Sequence, residues 1–433
     1  MANQILNFKL EYSSKDEVTP YSGLAIYGEM YKGIGLDQAI EQKMPRPGSG
    51  RGFKANEYVK PVVLMFLGGG RYLEDIRKIE ADNGLRRLCH LKRIPTSDAL
   101  GNWCRRDSIE KAEGLKELIL EYAMRVLMRA EEKDYTFDMD AFEIEANKQE
   151  AKYNYKGNKS YMPLVAVIPE LGICAGYELR EGNIAPASGN YEFAVSNIQQ
   201  LNVPGKKIRR FRSDSAGYQS LLLNWLNGKS IKYTVTARKD EALLDTIKSI
   251  DEGAWQKVEN SDREYSEVLH SMIHTDHAFR VIVQRWKNPQ PELFEEDRYS
   301  YHAIATNYLE EEKTAEEIIK WHNGRSNSEN FNKELKSGFN LEYMPCGDFG
   351  ANAVWFGIGI LAYNLFAMSR LFLFPQSWIN KKVSTIRWQF IQTAGRVIRH
   401  ANEVRLRICS TLREIFEVYV EARRLCWQLQ SEL

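Results

Sequence analysis

The chain has 433 residues, too many for one ordinary hydrophobic core, so two or three structural units are expected. Charged residues make up 27% and apolar residues 43%, the balance of a soluble globular protein. A net charge of +1 excludes capture of nucleic acid by the field of the whole molecule, so such a partner must be met by local basic patches.

Residues 1–130 predict a mainly helical region. "EYVKPVVLMFLGGGRYLEDIRKI" has helical periodicity broken by a glycine run. "IPTSDALGNWCRR" opens on a capping cluster, and "IEKAEGLKELILEYAMRVLMRAEE" is a long amphipathic helix. Basic groups gather in "RRLCHLKR", at Arg105 and Arg106, and in the loop "KMPRPGSGRGFK". A helix-turn-helix reader of DNA and a helical support domain both fit this pattern.

The pattern changes after Lys133. "YTFDMDAFEI" alternates as a strand does, and "YMPLVAVIPE" with "GICAGYELR" predicts a hairpin turning near Pro169 and Glu170. A helix at "YEFAVSNIQQL", a strand at "KKIRRFRSDS", a helix at "QSLLLNWLN" and a strand at "IKYTVTAR" complete a mixed α/β sheet over 131–251. Residues 252–307 supply four more strand candidates, an apparent β-rich insertion. Helices resume over 308–375 and are expected to continue through a basic C-terminal region, 376–433, with the stretch near 386–408 less regular. The run "AVWFGIGILAYNLFAMSRLFLF" is long enough to cross a membrane, but Asn364, Ser369 and Arg370 interrupt it, which favours a buried helix. Six cysteines (Cys89, Cys104, Cys174, Cys346, Cys409 and Cys426) include no C-x2-C pair, and no secretory signal is seen; free thiols in a reducing cytosol are expected.

Three acidic positions could carry chemistry. Alternation puts Asp138 and Asp140 on one face of the "FDMDAFE" strand, where two carboxylates repel unless a cation or water relieves them. Asp214 in "RSDSAGY" sits where a basic strand ends and a helix begins, a place for a site or for a helix cap. In "HNGRSNSENFNKELKSGF", Arg325, Glu329, Asn332 and Lys336 follow at intervals of four, three and four, one polar stripe of a helix, with His322 a turn earlier. Phe331, Leu335 and Phe339 would pack that helix down. An exposed, ion-paired helix gives the same stripe. Two strand aspartates and a helix glutamate can also hold two divalent cations, which want oxygen ligands and serve phosphoryl transfer.

This ordered set resembles the DDE transposases of bacterial insertion sequences, over about residues 133–375. Their nearest branch carries Tyr-x2-Arg-x3-Glu-x6-Lys and a β insertion before the Glu. His322, Arg325, Glu329 and Lys336 reproduce that spacing, with His in place of Tyr. The resemblance implies a ribonuclease-H-like mixed sheet interrupted by the insertion, a helical N-terminal region for DNA binding or dimerisation, and a helical C-terminal region. It implies Asp140, Asp214 and Glu329 as catalytic ligands of two Mg2+ (or Mn2+) ions, with Asp138 the alternative first aspartate. Arg325, Lys336 and His322 would contact DNA phosphates, and Trp255 or Trp286 could meet a flipped base. Partners would be double-stranded DNA, namely terminal inverted repeats and target DNA, held by a homodimer in the bacterial cytoplasm. A domesticated or inactive relative that only binds DNA is the alternative, and a metal-independent small-molecule hydrolase fits the basic strips poorly. A further metal site at His270, His274 and His277 is not expected, because that segment looks like a hairpin tip.

Overall fold

The computed structural model describes residues 17–48, 52–259, 261–288, 298–324, 326–400, 403–410 and 412–432; for 326–329, 431 and 432 it describes the backbone alone. After a short strand β1 (Glu17–Thr19), seven helices run in succession: α1 (Ser22–Gly33), α2 (Leu36–Lys43), α3 (Ala55–Leu67), α4 (Ile76–Ala81), α5 (Asn83–Leu88), α6 (Ser97–Arg105) and α7 (Ser108–Arg129). The glycine run ends α3 as its conformational freedom suggests, and the Thr96 hydroxyl caps α6 by accepting from Ala99 N at 3.2 Å.

Strand β2 (Asp134–Ala141) starts the sheet region. It is followed by β3 (Ile144–Glu145), β4 (Lys152–Tyr153), β5 (Lys159–Tyr161), β6 (Leu164–Ile168), β7 (Ile173–Glu178), α8 (Asn190–Leu201), β8 (Lys207–Ser213), α9 (Ser220–Gly228) and β9 (Lys232–Thr236). Then come α10 (Glu241–Lys248), β10 (Gln256–Lys257), β11 (Glu264–His270), β12 (Phe279–Lys287) and β13 (Tyr299–Thr306). The main sheet has nine strands in the order β10-β11-β12-β13-β9-β8-β2-β6-β7. Strands β2, β8 and β9 run parallel; every other pairing is antiparallel. The expected hairpin at Pro169 and Glu170 is the β6–β7 turn. The β-rich segment over 252–307 is continuous with this sheet, because β13 pairs directly with β9. A small separate sheet, β3-β5-β4, leaves the end of β2.

The remaining elements are α11 (Ala315–Asn323), α12 (Ser326–Lys333), a π-type turn at Glu334–Gly338, α13 (Phe349–Phe372), α14 (Val383–Ile386), β14 (Gly395–His400), β15 (Glu403–Ile408) and α15 (Arg413–Glu432). The C-terminal region is therefore not wholly helical: β14 and β15 form a hairpin that pairs with β1. Apolar and charged residues alternate in "EVRLRI", and "GRVIRH" sets two β-branched residues between arginines, both patterns that suit strands.

Helix α13 is the one described helix long and apolar enough to span a membrane, and its apolar window is wholly buried. Its polar interruptions all have partners. Asn364 exchanges two bonds of 2.8 Å with the backbone of Cys174 in β7, completing the sheet's pairing. The Ser369 and Tyr27 hydroxyls lie 2.8 Å apart, and Arg370 pairs with Glu334 at 3.3 Å. Each large apolar side chain buried here contributes about 1.5–3 kcal/mol, so a core helix accounts for the segment.

Candidate active site

Strand β2 turns Thr136, Asp138 and Asp140 to one face, as period-2 alternation requires. The two aspartates meet different surroundings. Asp138 is only 1% exposed and takes a two-pronged ion pair from Arg212 of β8, at 2.7 and 2.5 Å. Arg212 lies directly opposite it in the parallel register. The third guanidinium nitrogen donates to the carbonyl of Trp321 in α11 at 2.7 Å. A Cβ on Gly324 would sit 2.9 Å from that nitrogen, so glycine lets the chain pass close over the arginine. Arg212 thus ties β2, β8 and the end of α11 into one unit.

Asp140 is half-buried at the strand's end. Asp214 occupies the same level of β8: each follows the Met139–Ser213 register pair, on neighbouring strands that lie about 4.8 Å apart. Asp214 does cap the short turn after β8, accepting from Ala216 N at 2.9 Å through Oδ1. A cap uses one carboxylate oxygen and fixes the side chain's orientation, so the capping role and a ligand role are compatible.

Helix α12 comes down on this strand end. Asn332 donates to Oδ2 of Asp140 at 2.7 Å. The position of Glu329 is three residues earlier on the same helix; its side chain, and all of Arg325, lie outside the described residues. Phe331, Leu335 and Phe339 are buried below, as the apolar stripe predicts. The helix then widens into the π-type turn, where Lys336 donates to the Glu143 carbonyl at 3.1 Å. Asp140, Phe142, Asn332 and Lys336 line a cavity of about 410 Å3. Among the described residues no three His, Cys, Asp or Glu side chains are grouped to hold a metal ion. Asp140 and Asp214, and Glu342 on the same cavity as Asp140, offer the hard oxygen donors that Mg2+ or Mn2+ prefers.

His322 differs from the expectation of a phosphate contact. It is 3% exposed, with ring nitrogens 2.9 and 3.0 Å from the hydroxyls of Thr234 and Thr236 in β9. The end of α11 lies over the sheet, so the imidazole points into it. Arg210 and Arg212 of "IRRFR" also turn inward, to Glu170 and Asp138, while Arg209 stays outside. Trp255 stacks on Arg285 and Trp286 on Arg263, with 4.1 and 4.6 Å between charge and ring centre; both rings are half-buried. His277 bonds to Asp276 and Tyr233, and His270 packs edge-on against Phe279.

Sequence reasoning missed Arg212 and the partnership of Asn332 with Asp140. Asn332 was visible as a member of the polar stripe. Arg212 carried one signal, its parity with Asp214 along β8, which puts both on the face that holds the aspartates of β2.

Among solved structures, similarity is found to a cryo-electron microscopy structure of the piggyBac transposase synaptic complex with hairpin DNA. Its TM-score is 0.47 and its sequence identity 11%, over 87% of this chain and 81% of that one. No curated protein matches. The family described as "Transposase DDE domain group 1" matches residues 14–424. That match spans nearly the whole sequence, and the chain belongs to this family of DDE transposases.

Proposed function

We propose that this chain is an active transposase. It cleaves DNA at the terminal inverted repeats of its insertion sequence and joins the freed 3′-hydroxyl ends to target DNA. The observation that carries the reading is the Asn332–Asp140 bond, which seats the Glu329 helix on the strand end beside Asp214. Asp140, Asp214 and Glu329 would hold two Mg2+ or Mn2+ ions. When bound, such ions lower the cost of forming the attacking oxygen and stabilise the leaving one. The order β7-β6-β2-β8-β9, three strands antiparallel and then two parallel, supports a ribonuclease-H-like catalytic core.

The chain's own contribution is placement. Asp140 is the first catalytic aspartate in this reading, because Asp138 is occupied by Arg212. Asn332 orients the Asp140 carboxylate, and the Ala216 amide orients Asp214. Lys336, at the cavity rim, and Arg325 grip phosphates flanking the scissile bond, Lys as a point charge and Arg as a fork. His322 anchors the end of α11 to β9. The protein works as a homodimer on double-stranded DNA in the cytoplasm, at the nucleoid, with its N-terminal helices contributing DNA binding and dimerisation.

The test is cleavage of a plasmid carrying the coding sequence with its flanking DNA. Wild-type protein should nick at the element's ends when Mg2+ is added and not in EDTA. Asp140→Ala and Asp214→Ala proteins should not. If wild type cuts no better than Asp214→Ala, the enzyme reading fails and a DNA-binding role remains.

A further inference from the structure

The small sheet β3-β5-β4 and its turn lie immediately beyond Asp140. Residues 148–159, "KQEAKYNYKGNK", hold four lysines and one acid. That acid, Glu150, faces the start of α13 and accepts from Phe349 N at 2.7 Å. Of the segment's lysines, Lys152 and Lys156 are exposed, Lys156 pairing with Glu143 at 3.0 Å, while Lys148 and Lys159 are half-buried and donate to the carbonyls of Pro345 and Lys148 at 3.4 Å. Two tyrosines stand out from it, Tyr153 at 64% and Tyr155 at 76% exposure. Each has a lysine near its ring: Lys159 is 5.7 Å from the centre of Tyr153, and Lys156 is 5.6 Å from that of Tyr155.

The platform is rigid where it meets the site. Gly157, at φ +85°, makes the turn that an L side chain would strain. Glu143 gathers the turn from below, accepting from Asn154, from Asn158 at 3.4 Å and from Lys156 at 3.0 Å. The carbonyl of the same residue receives Lys336. One residue thus links the exposed tyrosines to the π-type turn after the Glu329 helix.

In a paired duplex the base faces are already stacked, so exposed aromatic rings find less to stack on there. They suit unpaired bases, and neighbouring lysines suit the backbone between them. We propose that Tyr153, Tyr155, Lys156 and Lys159 form a stacking platform for an unpaired DNA strand beside the scissile phosphate. The proposal deepens the DNA-cleaving function above and rests on it for its place in the reaction. Opening of the helix at the cleavage point would supply such a strand, and the platform would hold it away from the carboxylates.

The experiment measures binding of the full-length protein, in EDTA, to a fluorescent oligothymidylate of about twelve nucleotides, within the span such surfaces cover. A duplex of equal length is measured in parallel. The Tyr153→Ala/Tyr155→Ala protein should bind oligothymidylate about tenfold or more weakly, with duplex affinity within about threefold of wild type. Tyr153→Phe/Tyr155→Phe should keep both affinities, since stacking needs the ring and not the hydroxyl. Unchanged oligothymidylate binding by the alanine variant overturns the platform. So does an equal loss on both probes, or a loss in the phenylalanine variant as large as in the alanine one. The plasmid assay separates the two ideas: Asp214→Ala cutting like wild type would end the enzyme reading while leaving these affinities to stand or fall alone.

Discussion

Replacing Arg212 with Met should separate the two aspartates of β2. It leaves Asp138 buried without its countercharge, and breaking a buried pair from one side costs about 3–5 kcal/mol. Urea denaturation should show a loss of that size. Asp140→Asn, by contrast, alters a half-buried carboxylate at a strand end; stability should change by less than about 1 kcal/mol, while Mg2+-dependent cleavage disappears. The reverse pattern, stability lost at Asp140 and activity lost at Asp138 without unfolding, would exchange their roles. His322 makes a similar point. Its imidazole meets the hydroxyls of buried Thr234 and half-buried Thr236, and His322→Phe should cost about 1–3 kcal/mol, mainly by leaving the Thr234 hydroxyl unsatisfied. At this scale the sequence revealed which side chains share a face. Parity along β2 placed Asp138 with Asp140. It could not tell that Arg212, on a neighbouring strand, would claim one of them, because that depends on the parallel register between β2 and β8. The inward turn of His322 was hidden for the same reason: it depends on which strand α11 covers.

Among elements, the link from α11 to α12 is the sensitive joint. A methyl group at position 324 would press on the Arg212 nitrogen that bonds the Trp321 carbonyl, in a guanidinium whose other two nitrogens are held by Asp138. Gly324→Ala should therefore cost about 1–3 kcal/mol, the usual range for overpacking, and should lower cleavage through displacement of α12. A second joint is electrostatic. Glu57 closes the start of α3 by accepting from Lys54 N at 2.9 Å, and it pairs with Arg93 at 2.5 Å. The Arg93 guanidinium holds its carboxyl below the usual glutamate range. A lowered carboxyl pKa contributes stability that is present above the unfolded value of about 4.3 and is lost as pH falls through the folded value. Wild-type stability should thus fall more steeply below that pH than the stability of Glu57→Gln, measured by urea midpoints across pH 3–6. Elements with strong periodicity were legible: the β6–β7 hairpin, α7 and the buried α13. The β14–β15 hairpin was not, because its arginines obscured an alternation that pairing with β1 makes visible. The two π-type turns, at Glu334–Gly338 and Arg387–Ile391, leave no periodic trace of their own.

Over the whole molecule, the division into catalytic, inserted and N-terminal parts is less sharp than chain order suggests. One core cluster runs from α1 to α15. Arg387, its guanidinium pushed down to about 10 by burial, bonds to the carbonyls of Phe66 and Leu67 at the end of α3 and to Gly338 after the Glu329 helix. Asn340 reaches the carbonyls of Gly69 and Gly70 at 3.2 and 3.1 Å. The end of α3 and the glycine run after it therefore brace the segment that follows α12. A chain lacking residues 1–130 should be insoluble or cleaved throughout by limited proteolysis, because α13 would lose the cover of α3, α6 and α7. A soluble, protease-resistant fragment would show that the catalytic sheet stands alone.

The burial of α13 has a consequence for how the protein is made. Its first residue is Phe349, so most of the chain leaves the ribosome before its central helix exists. At about 5–20 residues per second, the nascent helices and sheet wait on the order of tens of seconds with an apolar trench open between them. Chains stalled on the ribosome before residue 349 should be digested quickly by a protease and captured by chaperones. Chains long enough to expose Phe372 outside the tunnel should resist. Any chain that ends before residue 349 lacks the helix that closes the core.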